Sequence, residues 1–287
     1  MRVLVTGAAG ITGRAVISAL KDRAGDTTIR AFIHRNEHSG AVRGCGACET
    51  VVGDMLDPED VRRAMESVDS VYHICSTANP REYEIGKTVY SAAEEMGVSR
   101  FVDHSVLHSI FSDLPHHEKK HRVELLITEG RIPYTILQPS AFMQNLLNAK
   151  DAIRETGVFP QRFFAGKNVK MNLVDLRDVA QAAAMVLTQA GHEYATYELC
   201  GPQNLTETEL TAELSEAAGK KVVSQFIPDE AFARQMEKAG MPEERIETML
   251  AMFRHYQQQG FMGNATVLAG LLGRSPRTLA QFLKENL

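Results

Sequence analysis

The stretch that decides the fold is Arg2-Val-Leu-Val-Thr6, then Gly7-Ala-Ala-Gly10-Ile-Thr-Gly13, then Arg14-Ala-Val-Ile-Ser-Ala-Leu20. A short β-branched apolar run breaks into glycines and resumes with helical spacing. Strand, glycine turn and helix open a dinucleotide-binding βαβ unit. Gly7 lets the chain leave the strand at dihedrals closed to other residues. Gly10, lacking a Cβ, lets a pyrophosphate lie against the backbone, and Gly13 lets the helix approach the strand. The helix N-terminus offers N–H groups and partial positive charge to the phosphates. The spacing is G-x-x-G-x-x-G, not the commoner G-x-G-x-x-G. Its weight therefore comes from the flanking strand and helix; the competing reading is a tight turn that binds nothing.

Working outward, helix one is expected over about Thr12 to Asp22, a loop over Ala24–Thr28, and a second strand over Thr28–Ile33. An NAD-binding unit carries an acid near the end of this strand. Here the strand ends in His34-Arg35. A guanidinium pairs with a 2′-phosphate where a carboxylate repels it, which favours NADP(H) over NAD(H). The plainer alternative is an arginine on a solvated turn. The alternation continues with strands over Cys48–Val52, Asp69–Cys75, Arg100–His104 and Ile132–Leu137. Helices are expected over Pro58–Met65, Glu82–Met96 and His116–Leu126. Gly53-Asp54-Met55 follows the third strand, Ser105 the fifth and Gln138-Pro139 the sixth, at the carboxyl edge where open α/β sheets bind ligands. Val169–Val174 and Tyr194–Leu199 read as further strands around a helix over Asp175–Thr188. The predicted fold is α/β: a doubly wound parallel sheet of the Rossmann type with a smaller, mostly helical C-terminal lobe.

Bulk properties bound the function. The chain has 287 residues and a net charge of −5, which gives no reason to expect nucleic acid or an anionic membrane as partner. No apolar run approaches the roughly 20 residues of a membrane span. The first strand begins at residue 2, so no signal peptide is expected, and the default location is cytoplasmic. Cys45 and Cys48 form a C-x-x-C in what reads as a glycine-rich loop; without a second pair or a helix start the spacing is taken as incidental. The thiols are expected to be reduced.

The section from His104 to Asn145 is where chemistry is expected. Several pieces are diagnostic together: Val5–Gly13, Gly53-Asp54, the His-rich helix with Lys120 and Glu124, Pro133–Pro139 with Phe142, Met143 and Asn145, and Leu173–Ala180. As a set they resemble the NmrA-like branch of the atypical short-chain dehydrogenase/reductase superfamily, over nearly the whole chain. The superfamily's active site uses a serine and a Tyr-x-x-x-Lys pair. Lys120 matches the lysine, but His116 stands where the tyrosine would be. The resemblance implies that Lys120 holds the nicotinamide ribose. Proton transfer would then fall to His116, His117, a water or the substrate; imidazole titrates near neutrality and suits the task. Expected coenzyme contacts are Gly7, Ala9, Gly10, Ile11, Thr12, Gly13, His34, Arg35, Asp54, Met55, Cys75, Ser105, Lys120 and Pro139, with Phe142, Met143 and Asn145 toward the substrate. Phe142 and Leu146 would serve a core-packing helix equally well.

His117-Glu-Lys-Lys-His121 also spells the zinc motif H-E-x-x-H. Lys119 and Lys120 would sit beside the dication, so no metal is expected. Beyond Gly201 the composition shifts. Asn204–Glu209 reads as a capped helix start, Val222–Ile227 as a strand, and Asp229–Leu287 as helices broken at Gly240–Pro242, Gly260–Gly263 and Gly273–Pro276. Soft side chains such as Met236, Met249, Met252 and Phe253 suit a substrate cap or, preferred here, ordinary packing. The nucleotide-binding domain is expected over 1–139 and about 172–200, the cap lobe over 140–171 and 201–287. The expected function is an NADP(H)-binding reductase passing hydride to a small carbonyl, quinone or conjugated substrate. The alternative is a non-catalytic NADP(H) sensor that engages a partner protein.

Overall fold

The structure, a computed structural model, describes residues 1–23, 26–166 and 168–287. The expected loop at Ala24–Thr28 lies in part outside the described residues. The chain runs β1 (Arg2–Val5), α1 (Ile11–Arg23), β2 (Thr28–Ile33), a helical turn (Asn36–His38), α2 (Ser39–Cys45), β3 (Glu49–Val52), α3 (Pro58–Met65), β4 (Ser70–His73), α4 (Glu82–Glu95), β5 (Arg100–His104), α5 (Pro115–Glu129) and β6 (Tyr134–Pro139). It continues with β7 (Ala141–Phe142), a 3-10 helix (Met143–Ala149), α6 (Lys150–Thr156), β8 (Val158–Gln161), β9 (Met171–Val174), α7 (Leu176–Thr188) and β10 (Ala195–Leu199). Last come β11 (Asn204–Leu205), α8 (Glu207–Ala218), β12 (Val223–Phe226), α9 (Asp229–Lys238), α10 (Glu243–Gln259), α11 (Thr266–Leu272) and α12 (Leu279–Asn286).

Two compact units share this chain. The first comprises Met1–Phe111, His117–Gln138 and Arg177–Tyr197. Its frame is a seven-stranded sheet in the order β10-β6-β5-β4-β1-β2-β3. The pairs from β3 through β6 are parallel, with Val3 opposite Ile29 on one side and Ser70 on the other. All four residues of β4 are buried, as a strand covered on both faces requires. Leu4, Val71, Phe101 and Phe32 from the strands pack with Val61, Val89, Val123 and Ile127 from helices α3, α4 and α5.

Glycines allow the closest approaches. A Cβ on Gly13 would lie 2.6 Å from the Gly7 carbonyl oxygen and 2.7 Å from Ala8 Cα, so α1 leaves no room for one. Gly7 has φ +55, and a Cβ there would lie 2.7 Å from the Ile74 carbonyl oxygen. Gly86 plays the same part for α4 against α5, where a Cβ would meet Val123 at 2.7 Å.

The second unit comprises Ser112–His116, Pro139–Leu176 and Glu198–Leu287. It holds a three-stranded sheet, β11-β9-β7, and a parallel pair of β12 with β8. Asn172 joins its strands: its Oδ1 accepts from Ser140 Oγ at 2.8 Å and from the Gly201 N–H at 2.9 Å. Phe232, Ile246, Leu250 and Phe253 form an apolar cluster over which Phe163, Met236, Met241, Met249 and Met252 are partly buried. Arg162 is buried beside it, 4.8 Å from the Phe232 ring centre, paired with Asp229 and donating to the Ile227 carbonyl.

Several local expectations need correction. Ser39–Cys45, where no element was expected, is a helix with Val42 buried, and Cys45 closes it. Asn204 and Leu205 form a strand against β9, and the helix begins at Glu207, capped by Thr206 in a full capping box with Glu209. The segment after Phe142 is a 3-10 helix, and Val158–Gln161, not read as a strand, pairs with β12.

Candidate functional site

The strand order reverses direction between β1 and β4, and a crevice of about 540 Å³ opens in the first unit at their carboxyl ends. This is where doubly wound sheets bind ligands, and the volume lies within the roughly 300–1,000 Å³ of small-molecule sites. Each strand end supplies one segment of wall. After β1 come Gly7 and Ala9–Gly13; after β2, His34 and His38; after β3, Gly53–Leu56; after β4, Ile74–Thr77; before and within α4, Asn79, Arg81 and Ile85.

The floor fits a diphosphate. Packing explains Gly7 and Gly13, but a Cβ on Gly10 would meet one protein atom, the Gly7 carbonyl oxygen at 3.3 Å, and Gly10 itself is exposed. Gly10 lines the crevice. The first turn of α1 carries no acidic residue, so no carboxylate of the helix itself opposes an anion at its orphan N–H groups. Thr6 ties β1 to β4: its hydroxyl donates to the Ile74 carbonyl at 3.2 Å and accepts the Ile74 N–H at 2.9 Å. The β3 end is fixed by Asp60, which accepts the Asp54 N–H at 2.9 Å and pairs with Arg63 at 2.7 Å; both hold its carboxyl below the usual range.

Of the expected coenzyme contacts, the crevice wall gathers Gly7, Ala9, Gly10, Ile11, Thr12, Gly13, His34, Asp54, Met55 and Cys75. Arg35 turns outward: its side chain is 68% exposed and reaches Glu37 at 3.4 Å. Sequence reasoning passed over His38, Ser76, Thr77, Asn79 and Arg81 on the wall. The segment between β4 and α4 was findable, because it follows a strand on the same edge as Gly7.

Ser105 and Lys120 belong to a buried polar cluster. Lys120 is 3% exposed; its Nζ lies 2.9 Å from Glu82 Oε1 and donates to the His104 carbonyl at 2.6 Å. Burial works against the ammonium, but Glu82 and Asp103 outweigh it and hold Lys120 charged. Burial raises the Asp103 carboxyl to about 7, with Lys120 opposing and Glu124 and Glu82 adding to the rise. The same burial, reinforced by Lys120, lowers His73 and His104 to about 3, so both imidazoles stay neutral. His104 Nδ1 is 2.6 Å from the Tyr72 hydroxyl. Burial and the neighbouring Glu82 keep the Cys75 thiol protonated. Glu124 collects the second half of the cluster. It accepts from Ser105 Oγ, from Ser109 Oγ at 2.7 Å and from Gln138 Nε2 at 2.8 Å.

His117 is fully buried with Nδ1 2.9 Å from the His108 carbonyl, and His121 Nδ1 lies 3.5 Å from Glu124 Oε2. His116, Pro139, Phe142, Met143 and Asn145 belong to the second unit. There His116, Pro139 and Met143 are buried, Phe142 is half-buried and Asn145 exposed. No helix among the described residues is long and apolar enough to cross a membrane.

Parallel strands, a glycine turn into a helix N-terminus and a crevice at the reversal of strand order define a Rossmann-type nucleotide-binding protein. The model of the NmrA-like family matches residues 1–283, and the chain belongs to that family. It is 30% identical to the NAD(P)H azoreductase of Xenophilus azovorans, over 99% of this chain and 97% of that one. The NADPH-dependent quinone oxidoreductase of Escherichia coli, solved in complex with NADPH, superposes with a TM-score of 0.85 at 27% identity, over 99% of each chain. The triphenylmethane reductase of a Citrobacter species, solved with NADP(H), also gives 0.85, at 28% identity over 99% of this chain and all of that one.

Proposed function

We propose that this protein is an NADP(H)-dependent reductase of a small carbonyl, quinone or conjugated compound. The observation that carries the reading is the crevice of the first unit: an uncharged, Cβ-free floor at Gly10, flanked by an acid-free helix start. Full-length similarity to proteins named as azoreductase, quinone oxidoreductase and triphenylmethane reductase supports the reaction class. The reduced coenzyme supplies the reducing equivalents when bound.

This chain's residues bind and orient. Residues 9–13 receive the diphosphate through main-chain N–H groups. Lys120 acts as a positioning residue: its ammonium fixes the His104 carbonyl at the end of β5 and neutralises Glu82 behind Cys75. His116, four residues before Lys120, is the proposed proton donor, with His117 supporting the helix start through the His108 carbonyl. In the second unit Asn145 and Phe142 are the accessible members of the expected substrate set, and Met143 is core.

A second reading rests on the same cluster. With no tyrosine before Lys120 and the ammonium occupied by Glu82, the protein would bind both redox forms of the coenzyme and act as a sensor. One experiment separates the two. The protein is incubated with NADPH and a panel of quinones, azo dyes and enals while nicotinamide absorbance is followed. Turnover is the expected result; tight binding of both redox forms without turnover on any acceptor would contradict the reductase and leave the sensor.

A further inference from the structure

Just inside the crevice wall, the sheet face covered by α4 and α5 carries a row of polar residues. Leu4, Val71 and Phe101 pack on that face, so Thr6, His73 and Asp103, two residues further along, share it. His73 and Asp103 stand opposite each other in the β4–β5 register, and both are buried. Thr6 decides where the imidazole carries its hydrogen. The single hydroxyl hydrogen goes to the Ile74 carbonyl at 3.2 Å, so His73 Nδ1, 3.1 Å from Thr6 Oγ1, is the donor of that pair. His73 Nε2 then presents a lone pair. Among the described residues it is buried without a hydrogen-bond partner, and so are both oxygens of Asp103. An ionised carboxylate beside an imine nitrogen would set acceptor against acceptor and leave all of these atoms unsatisfied. A hydrogen on Asp103 removes the conflict, directly or through one buried water. Burial acts in the same direction and raises the carboxyl to about 7. Of the charged groups around it, Lys120 of α5 opposes the rise, while Glu124 of α5 and Glu82 of α4 add to it. On β4, burial keeps His73 neutral, and beyond the strand it keeps the Cys75 thiol protonated.

We propose that His73 and Asp103 hold one proton between them beneath the crevice, and that it leaves when the oxidised, cationic coenzyme binds and stays when the reduced, neutral one does. The proposal rests on the coenzyme reading above and adds to it a group that tells the two redox forms apart. A dinucleotide in this fold crosses the reversal of strand order, with its adenosine toward β2 and its other nucleoside toward β4. Thr6 and His73 each precede a wall residue, Gly7 and Ile74, and Cys75 follows on the same wall. A positive ring on that side favours the ionised form of Asp103. The released proton goes to solvent. His73 keeps its one hydrogen but carries it on Nε2, donating to the new carboxylate, while the Thr6 hydroxyl turns from the Ile74 carbonyl to Nδ1. Each state thus pairs the imidazole with Asp103, in opposite directions.

The test is calorimetric titration of the intact protein with NADP+ and with NADPH, from pH 6 to 8.5, in buffers of different ionisation enthalpy. With the Asp103 carboxyl at about 7 and lowered by about one unit in the oxidised complex, NADP+ should release about half a proton more than NADPH near pH 6.5, and almost none more at pH 8.5. Affinity for NADP+ relative to NADPH should rise about fivefold from pH 6 to 8.5. The 2′-phosphate is common to both forms and cancels from that ratio. Asp103→Asn should abolish the difference in release and flatten the ratio. Infrared spectra of the unmodified protein decide the matter if that variant does not fold: at pH 6.5 the band of a buried protonated carboxyl should weaken with NADP+ and not with NADPH. Equal release with the two forms, a difference that survives in Asp103→Asn, or a band indifferent to the redox state of the coenzyme would overturn the proposal alone. Binding of neither coenzyme at any pH would overturn the coenzyme reading and this proposal with it.

Discussion

Lys120 shows how a residue's type can be legible while its situation is not. Its position four residues after His116 marks it in the sequence, yet its partner Glu82 lies 38 residues away on another helix and there reads as an ordinary helix-start acid. Pairing of that kind comes from tertiary packing, which local pattern does not carry. The His34–His38 turn is similar: the sequence places five polar residues at the right strand end, and the fold decides that His38 lines the crevice while Arg35 does not. Breaking the buried pair has a defined cost. Lys120→Met leaves the buried Glu82 without its ammonium partner and is expected to destabilise by about 3–5 kcal/mol in denaturant melts, and adding Glu82→Gln should recover a large part. A loss of less than about 1 kcal/mol in the single variant would mean that the Glu82 carboxyl does not depend on this ammonium. Asp103 makes the second residue-level prediction. Its carboxyl is raised in the fold, to about 7, so the folded state holds more protons than the unfolded chain between about pH 4 and 7. The carboxyl's contribution to stability is therefore full at low pH and lost as pH rises through that window. Asp103→Asn removes this dependence, so its stability relative to the parent should rise with pH, by about 1–3 kcal/mol between pH 4.5 and 7.5. A difference that stays constant, or runs the other way, would contradict the assignment.

At the scale of elements, the parallel sheet was plain because each strand is a short apolar run between helical repeats. The fifth strand was placed at Arg100–His104, and the structure has it there. Elements with weak local signals were missed. Ser39–Cys45 contains two glycines and folds as a helix with Val42 buried. Val158–Gln161 contains Pro160 and finds its partner in β12, 65 residues on. The glycine turn offers a contrast between fold and binding. Gly13→Ala drives a Cβ to within 2.6 Å of backbone and must push α1 off β1, so a marked fall in Tm is expected. Gly10→Ala meets the Gly7 carbonyl oxygen at 3.3 Å and should keep Tm within a few degrees while weakening coenzyme binding at least tenfold. Equal losses of stability in the two variants would mean that Gly10 is retained for packing rather than for a ligand.

The molecule as a whole interleaves its two units along the chain, three segments to each. The class of fold and the class of ligand were legible because the diphosphate floor of a dinucleotide site is built from one continuous stretch, and its rules are local: a strand, bare backbone, a helix start. The proposed reacting end was far less legible, because it draws on α4, β5, α5 and β6 at once and has His116 where a tyrosine would mark it. The account turns on where the diphosphate lies. A crystal structure of the protein grown with NADP+ tests this most directly. It should show the pyrophosphate within hydrogen-bond distance of the main-chain nitrogens of residues 10–13 and the adenosine beside His34 and His38. Density for the nucleotide anywhere else, with the crevice at the ends of β1 and β4 filled by water alone, would contradict it.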